Sequence, residues 1–183
     1  MENSGAFRFA ASAQIMICDR AVSLVPFGQV HVERTFGWIS DTALRRQFLL
    51  RGDVTWEGHV SYFNRVLADP IQRVFAIFAD GCHVGNCGFK NLDLEHKKGE
   101  LWIYLGEPST RGKGIGLRST ELLIDLGVST LGLELIYLHV ADFNAAARNI
   151  YRKLGFVEVP LQSEATSWAD RGCEIIRMEL REV

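Results

Sequence analysis

The sequence predicts an α+β protein, a mixed and mostly antiparallel sheet flanked by helices, and three observations point to it. Residues 73–79, 83–90 and 100–105 are apolar runs of strand length joined by tight turns, which reads as an antiparallel meander. The third run leads into a basic, glycine-rich turn, an amphipathic helix and a further apolar run at 133–140; strand, crossover helix and strand imply a parallel pair with a right-handed connection. Apolar residues at helical spacing recur before and after the meander, so helices have faces to lay against the sheet.

Taken in order, residues 1–20 read as an extension or a first strand of unset register, and 21–183 as one domain. Residues 21–26 form a strand ended by Pro26. From Val30 to about Phe48, the apolar Phe36, Trp38, Ile39 and Leu44 are interrupted by Gly37, Ser40 and Asp41, giving a helix, a turn and a second short helical stretch. Thr55 stands where it can cap a helix with the stripe Trp56, Val60, Phe63 and Leu67, stopped by Asp69 and Pro70; Glu57 and His59 then fall on outer faces. Asp80 and Gly81 turn the first hairpin of the meander, and the charged residues 93–99 turn the second. The crossover helix covers about 113–127, with Ile115, Ser119, Leu122, Leu123 and Leu126 on one face. Asp142 or Asn144 caps the last helix, whose stripe is Phe143, Ala147, Ile150, Tyr151 and Leu154 and which Gly155 ends. A short strand at 156–159, a polar loop at 161–171 carrying Trp168 and an edge or hairpin strand at 173–180 follow.

The chain has 183 residues, 48% hydrophobic and 23% charged, enough apolar material for a packed core. Its 20 basic and 22 acidic side chains argue against a broad nucleic-acid-binding surface. Cys18, Cys82, Cys87 and Cys173 have no CxxC spacing and no histidine at zinc-finger distance, so the expectation is free thiols in a reducing compartment and no metal. No window reaches 18 apolar residues and the start makes a poor signal peptide, so the expected location is cytoplasmic, with no membrane partner.

Residues 109–116, Ser-Thr-Arg-Gly-Lys-Gly-Ile-Gly, are where the chemistry concentrates. Three glycines in five residues let the backbone approach a bound group, the N–H groups of the first helical turn have no partner inside the helix, and Arg111 and Lys113 add positive charge. Such a turn suits an anion. A Walker A loop would need a hydroxyl residue after the lysine, but Lys113 is followed by Gly114. The dinucleotide fingerprint would need glycine at the sixth position counted from Gly112, which is Leu117.

What remains, Arg-x-x-Gly-x-Gly at 111–116, resembles the acyl-coenzyme A pyrophosphate loop of the GNAT superfamily of N-acetyltransferases. A second stretch is more specific: an asparagine at 144, a tyrosine seven residues on at 151 and Leu-Gly-Phe at 154–156 are similar to the second GNAT signature, about 30 residues downstream. The resemblance spans about residues 21–181. It implies the GNAT fold, in which two parallel strands part in a V that receives the pantetheine arm of acetyl-CoA. By the same resemblance Ile103, Tyr104 and Leu105 offer the arm backbone hydrogen bonds, and Arg111, Gly112, Lys113, Gly114, Ile115 and Gly116 hold the pyrophosphate. Asn144 contacts the arm, and Tyr151 serves as the acid at the departing thiolate. Without the resemblance, Tyr151 is a core tyrosine. Glu100 is the first candidate for general base, or the partner of an ordinary salt bridge; Glu107, His83 and His139 follow, His139 also reading as a satisfied core histidine.

The acceptor is read from weaker signals. The string Gly-Glu-Leu-Trp-Ile-Tyr at 99–104, after His-Lys-Lys, resembles the pseudaminic acid pathway acetyltransferase more than the ribosomal-protein branch. A nucleotide-linked deoxyamino sugar would give Arg45, Arg46, Arg51 and Trp38 a purpose, with Tyr104 and His83 beside them; the plain alternatives are a solvated helix face for the arginines and core positions for the rings. A protein amine, a polyamine or an antibiotic remain alternatives, as does a sensor that binds acyl-CoA without transfer. A small-molecule amine as partner and a homodimer complete the expectations.

Overall fold

The computed structural model describes residues 17–19, 22–47, 52, 54–160 and 173–181, with residues 17–19, Ala43, Arg46 and Gln47 described by backbone alone. The order of elements is β1 (Ile17–Asp19), β2 (Val22–Pro26), α1 (Val32–Ser40), α2 (Thr42–Gln47), α3 (Trp56–Ala68), β3 (Arg73–Ala79), β4 (Cys82–Asp93), β5 (Lys98–Leu105), α4 (Ile115–Ser129), β6 (Leu135–Ala141), α5 (Ala145–Lys153), β7 (Val157–Val159) and β8 (Ile175–Arg181). Among the described residues the strands form one sheet in the order β1-β2-β3-β4-β5-β6-β8-β7. Every pairing is antiparallel except β5 with β6.

Local chemistry explains most boundaries. Asp80 and Gly81 take φ of 48° and 76°, the left-handed pair that a two-residue hairpin requires. Thr55 Oγ1 accepts from the Gly58 N–H at 3.1 Å and caps α3. Of the two candidates for the last cap, Asn144 takes the role, its Oδ1 accepting from the Ala147 N–H at 3.2 Å. Gly155 ends the helix at φ 89°.

Two apolar clusters sandwich the sheet. On one face α4 and α5 bring Leu122, Leu123, Leu126 and Tyr151 onto Phe89, Leu101, Ile136, Leu138 and Met178. On the other, α1 and α3 bring Val32, Phe63 and Val66 onto Phe27, Val74 and Ala76, with Trp102 beside them. Strand alternation sends Leu101, Ile103 and Leu105 to the first face and Trp102 to the second, where Tyr104 stacks on it at 6.1 Å between ring centroids.

Two expectations need correction. The buried stripe of α3 is His59, Phe63 and Val66, while Trp56 and Leu67 are exposed. The helix is turned by about one residue, because the His59 ring lies within hydrogen-bond reach of the Val32 carbonyl (2.9 Å) and packs against Phe36 and Phe63. Phe143 is exposed instead of belonging to the stripe of α5, since it precedes the cap. Of the two readings of the last strand, the hairpin one holds: β8 pairs antiparallel with β7 and lies between it and β6, so the edge is β7.

β5 and β6 pair only at Lys98–Leu135, Gly99–Ile136 and Glu100–Tyr137. Beyond Glu100 the strands have no mutual register, and residues 101–105 keep β4 as their strand neighbour on one side only. Two parallel strands that part in this way leave a V-shaped opening with Glu100 at its vertex.

Candidate functional site

One wall of the opening is the β6-facing edge of β5 at Ile103, Tyr104 and Leu105, beyond the last residue in register with β6. β5 then gives way to a 3-10 turn at Pro108–Thr110 and the glycine loop. Gly112 and Gly114 adopt φ of 73° and 76°, conformations that cost a side-chain-bearing residue energy. The first helical bond of α4 runs from the Arg118 N–H to the Gly114 carbonyl, leaving the N–H groups of Ile115, Gly116 and Leu117 unused by the helix. Arg111 and Lys113 are exposed beside them. A Cβ placed on Gly116 would touch Ile150 of α5 at 3.6 Å and Leu105 at 3.9 Å, so the start of α4 is seated between the end of β5 and α5. A strand edge beyond the end of the β5–β6 register, followed by N–H groups that the helix does not use and by two cations, fits an extended amide-bearing arm that terminates in a pyrophosphate.

Asn144 caps α5 and Tyr151 lies near its end, one residue after the Ile150 that faces Gly116. The Asn144 Oδ1 is occupied by capping, which leaves its amide N–H₂ as the donor. Tyr151 is 8% exposed, with its ring 5.8 Å from Phe156. Burial alone pushes the phenol up to about 12, and among the described residues no group takes its hydrogen bond.

At the vertex, on the opposite face, Glu100 is 5% exposed and has three partners. His139 of β6 donates from Nδ1 to Oε1 at 2.9 Å, Lys90 Nζ lies 3.1 Å from the same oxygen, and Asn91 Nδ2 donates to Oε2 at 2.8 Å. Burial by itself would raise the carboxyl, but the His139 hydrogen bond and the Lys90 charge outweigh it and hold Glu100 below the usual glutamate value. An ionised carboxylate only accepts, so His139 carries a proton on Nδ1. Across β6, Arg177 of β8 is the register partner of His139; its guanidinium covers the Tyr137 ring at 4.0 Å and its Nε donates to Glu179 at 2.9 Å.

The acceptor-side candidates are scattered. Trp38 on α1 is 7% exposed and lies so closely over Gly106 that a Cβ there would overlap the indole. Its Nε1–H donates to Glu107 Oε1 at 3.1 Å, and Arg34 pairs with the same oxygen at 2.8 Å. His83 is enclosed between Phe78, His31 and Trp38, with Nε2 2.8 Å from Asn86 Oδ1, and burial lowers it from the ordinary histidine value. Asn86 Nδ2 donates to Thr35 Oγ1 at 2.9 Å and to the Tyr104 hydroxyl at 2.6 Å, tying α1 to β4 and β5. Tyr104 is raised by its burial. Arg45 on α2 has its Nε buried without a partner among the described residues. Arg46 lies on α2 with its side chain outside the described residues, and Arg51 lies outside them altogether.

The sequence reading named the ends of the Glu100–His139 contact but not the contact, and it missed Lys90, Asn91, Asn86 and Thr35. Lys90 left one legible trace, as the residue directly opposite Glu100 in the meander register. No group of three or more His, Cys, Asp or Glu among the described residues is placed to hold a metal. Among those residues no helix is long and apolar enough to cross a membrane.

Known proteins share this architecture. The chain is 34% identical over 103 residues to the spermidine N(1)-acetyltransferase of Escherichia coli K12, a match covering 56% of this chain and 55% of that enzyme. The chain thus spans about half the length of that relative. It is 26% identical over 161 residues to the human alpha/beta-tubulin-N-acetyltransferase 9, covering 81% and 78% of the two chains. The crystal structure of the Vibrio cholerae spermidine N-acetyltransferase in complex with CoA and spermine superposes with a TM-score of 0.79 at 20% identity, over 90% of this chain and 97% of that one. These relatives act on polyamine and protein amines by name and lend no support to the nucleotide-sugar branch expected from residues 99–104. The expected homodimer gains no support either, since the Vibrio cholerae enzyme was also solved as a dodecamer. Residues 22–157 match the family described as the acetyltransferase (GNAT) domain, and with the V, the glycine loop and the asparagine-capped helix in place, the chain belongs to the GNAT acetyltransferases.

Proposed function

We propose that this chain transfers an acetyl group from acetyl-CoA directly to a primary amine, and that the amine belongs to a polyamine. The observation that carries the transfer is the pairing of two faces through one opening. A buried phenol with no described partner lies on the α5 side, and an imidazole held by a carboxylate lies on the other. Acetyl-CoA would supply an activated thioester.

The residues of the chain have separable tasks. The open edge at Ile103, Tyr104 and Leu105 and the Asn144 amide bind the arm, and the N–H groups of the loop at Gly112, Gly114, Ile115 and Gly116, with Arg111 and Lys113, bind the pyrophosphate. His139 Nε2 takes the proton of the ammonium, while Glu100 orients the ring and carries its counter-charge instead of accepting the proton itself, since its oxygens already have three partners. As the carbon–nitrogen bond forms and the carbon–sulfur bond breaks, Tyr151 gives its proton to the departing sulfur, and the second proton that the nitrogen sheds in becoming an amide restores the phenol; a phenol pushed up to about 12 holds its proton at neutral pH. Trp38 and His83 shape the acceptor wall through their rings, their polar atoms being engaged by Glu107 and Asn86.

The polyamine reading is supported by the names of the spermidine acetyltransferases that the chain resembles. A thiol-release assay with acetyl-CoA and a panel of spermidine, spermine, peptide N-termini and nucleotide amino sugars tests it. Turnover with the polyamines is expected. Turnover confined to peptides or sugars would replace the acceptor, and tight acetyl-CoA binding with no thiol release from any amine would replace the transfer by a sensing role.

A further inference from the structure

Just past the end of β5 the chain carries a cation site that it fills with a side chain of its own. Arg34 and Trp38 stand one turn apart on α1 and share a face of the helix. The Arg34 guanidinium lies 5.6 Å from the centroid of the Trp38 ring, and its Nη2 is 2.8 Å from Glu107 Oε1. An aromatic face and a carboxylate thus meet on one positive charge.

Arg34 is the least fixed part of this arrangement. The Glu107 backbone is held on both sides, its N–H donating to the Val84 carbonyl at 3.2 Å and its carbonyl accepting from the Thr110 hydroxyl at 2.5 Å. Trp38 aims the carboxylate by donating from Nε1 to Oε1 at 3.1 Å, and the buried indole is itself seated over Gly106, where a Cβ would overlap it. Both contacts to the carboxylate fall on Oε1, which leaves Oε2 without a hydrogen bond among the described residues. The Arg34 side chain is 48% exposed. An ion pair so open to water adds little net stability, so a second cation can replace the guanidinium at small cost.

The site adjoins the proposed acceptor wall. Trp38 meets Tyr104 edge to face with ring centroids 6.4 Å apart, and Glu107 follows the open edge of β5 that ends at Leu105. We infer that Glu107 and Trp38 form a subsite for a second ammonium of the acceptor, filled by Arg34 in the chain alone and vacated when a polyamine binds. The inference rests on the proposed acceptor and deepens it: the subsite selects amines that carry a further positive charge over monoamines. With the reacting amine seated in the V, the second ammonium is tethered beside Glu107, and its high local concentration displaces the guanidinium.

Initial rates with spermidine and with a linear monoamine of the same length, both at saturating acetyl-CoA, read the selection. Glu107→Gln keeps an oxygen for the indole N–H and removes the charge, so kcat/KM for spermidine should fall about tenfold while that for the monoamine changes less than about twofold. Arg34→Met keeps an apolar stem over the ring and removes the competing cation, so kcat/KM for spermidine should rise about threefold. Equal losses for the two amines in Glu107→Gln, or a loss for spermidine in Arg34→Met, overturns the inference. Equilibrium dialysis of spermidine against the CoA-loaded chain reads the subsite without transfer: Kd should weaken about tenfold in Glu107→Gln, and a native Kd in that variant overturns the subsite. A native chain that binds spermidine through Glu107 and acetylates none of it would sink the proposed acceptor while leaving the subsite standing, so the two readings fail separately.

Discussion

Tyr151 and His139 divide the proton traffic of the proposed reaction, and each owes its state to its surroundings. Burial keeps the Tyr151 phenol protonated, and the carboxylate at 2.9 Å fixes the His139 tautomer. Replacing Tyr151 by Phe removes the donor without opening a cavity, so kcat should fall by about 10²-fold with KM for acetyl-CoA nearly unchanged. Steady-state kinetics check it, and an unchanged kcat would reduce Tyr151 to packing. At this scale the sequence was legible where function follows local pattern. The spacing of Asn144 and Tyr151 on one helix named both, and Gly112 and Gly114 announced a loop of unusual φ. It was illegible where function needs distant residues to meet: Glu100 and His139 are joined only by the pairing of β5 with β6, and Asn91 reaches Glu100 only through a bulge. His59 misled for a related reason. A polar ring next to an apolar stripe reads as surface until the Val32 carbonyl is known to lie beside it.

Among the elements, the glycine loop and α4 carry the donor side. Gly114 is both the N-cap of α4 and a residue at φ 76°, where a side chain costs about 1–2 kcal/mol. Gly114→Ala should therefore raise KM for acetyl-CoA by about tenfold through displacement of the first-turn N–H groups, while kcat at saturation changes little. Equal losses in kcat and kcat/KM would instead place the loop in the chemical step. The meander and the crossover were legible because each strand is bounded by its own turn residues, Asp80 and Gly81 most clearly. The place of β8 was not, because its insertion between β6 and β7 depends on a β6 partner more than thirty residues away and leaves no local mark.

For the whole molecule, the sheet serves both as scaffold and as partition. Helices α4 and α5 cover the face of the proposed donor loop, α1 and α3 cover much of the other, and the divergence of β5 from β6 joins the two. The buried titratable groups set the pH range of this arrangement. His31, His59 and His83 are lowered from 6.5, chiefly by burial, so each contributes stability above that value that is lost as pH falls toward its folded value. Glu100 and Glu179 are also lowered, because their hydrogen-bonded and charged partners outweigh burial, and their contribution is lost as pH falls through the carboxylate range. Urea midpoints should be level near pH 7–8 and decline steadily from about pH 6.5 downward. A midpoint constant down to pH 4 would mean that these groups are not held as described.

The account's central claim, that acetyl passes through the V to an amine of a polyamine, is tested most directly by the mass of the acceptor. Spermidine incubated with acetyl-CoA and the native chain should gain the mass of one acetyl group in step with the thiol released, and should not do so without the chain. Spermidine recovered unmodified at saturating acetyl-CoA, while the chain is folded and binds the cofactor, would contradict it.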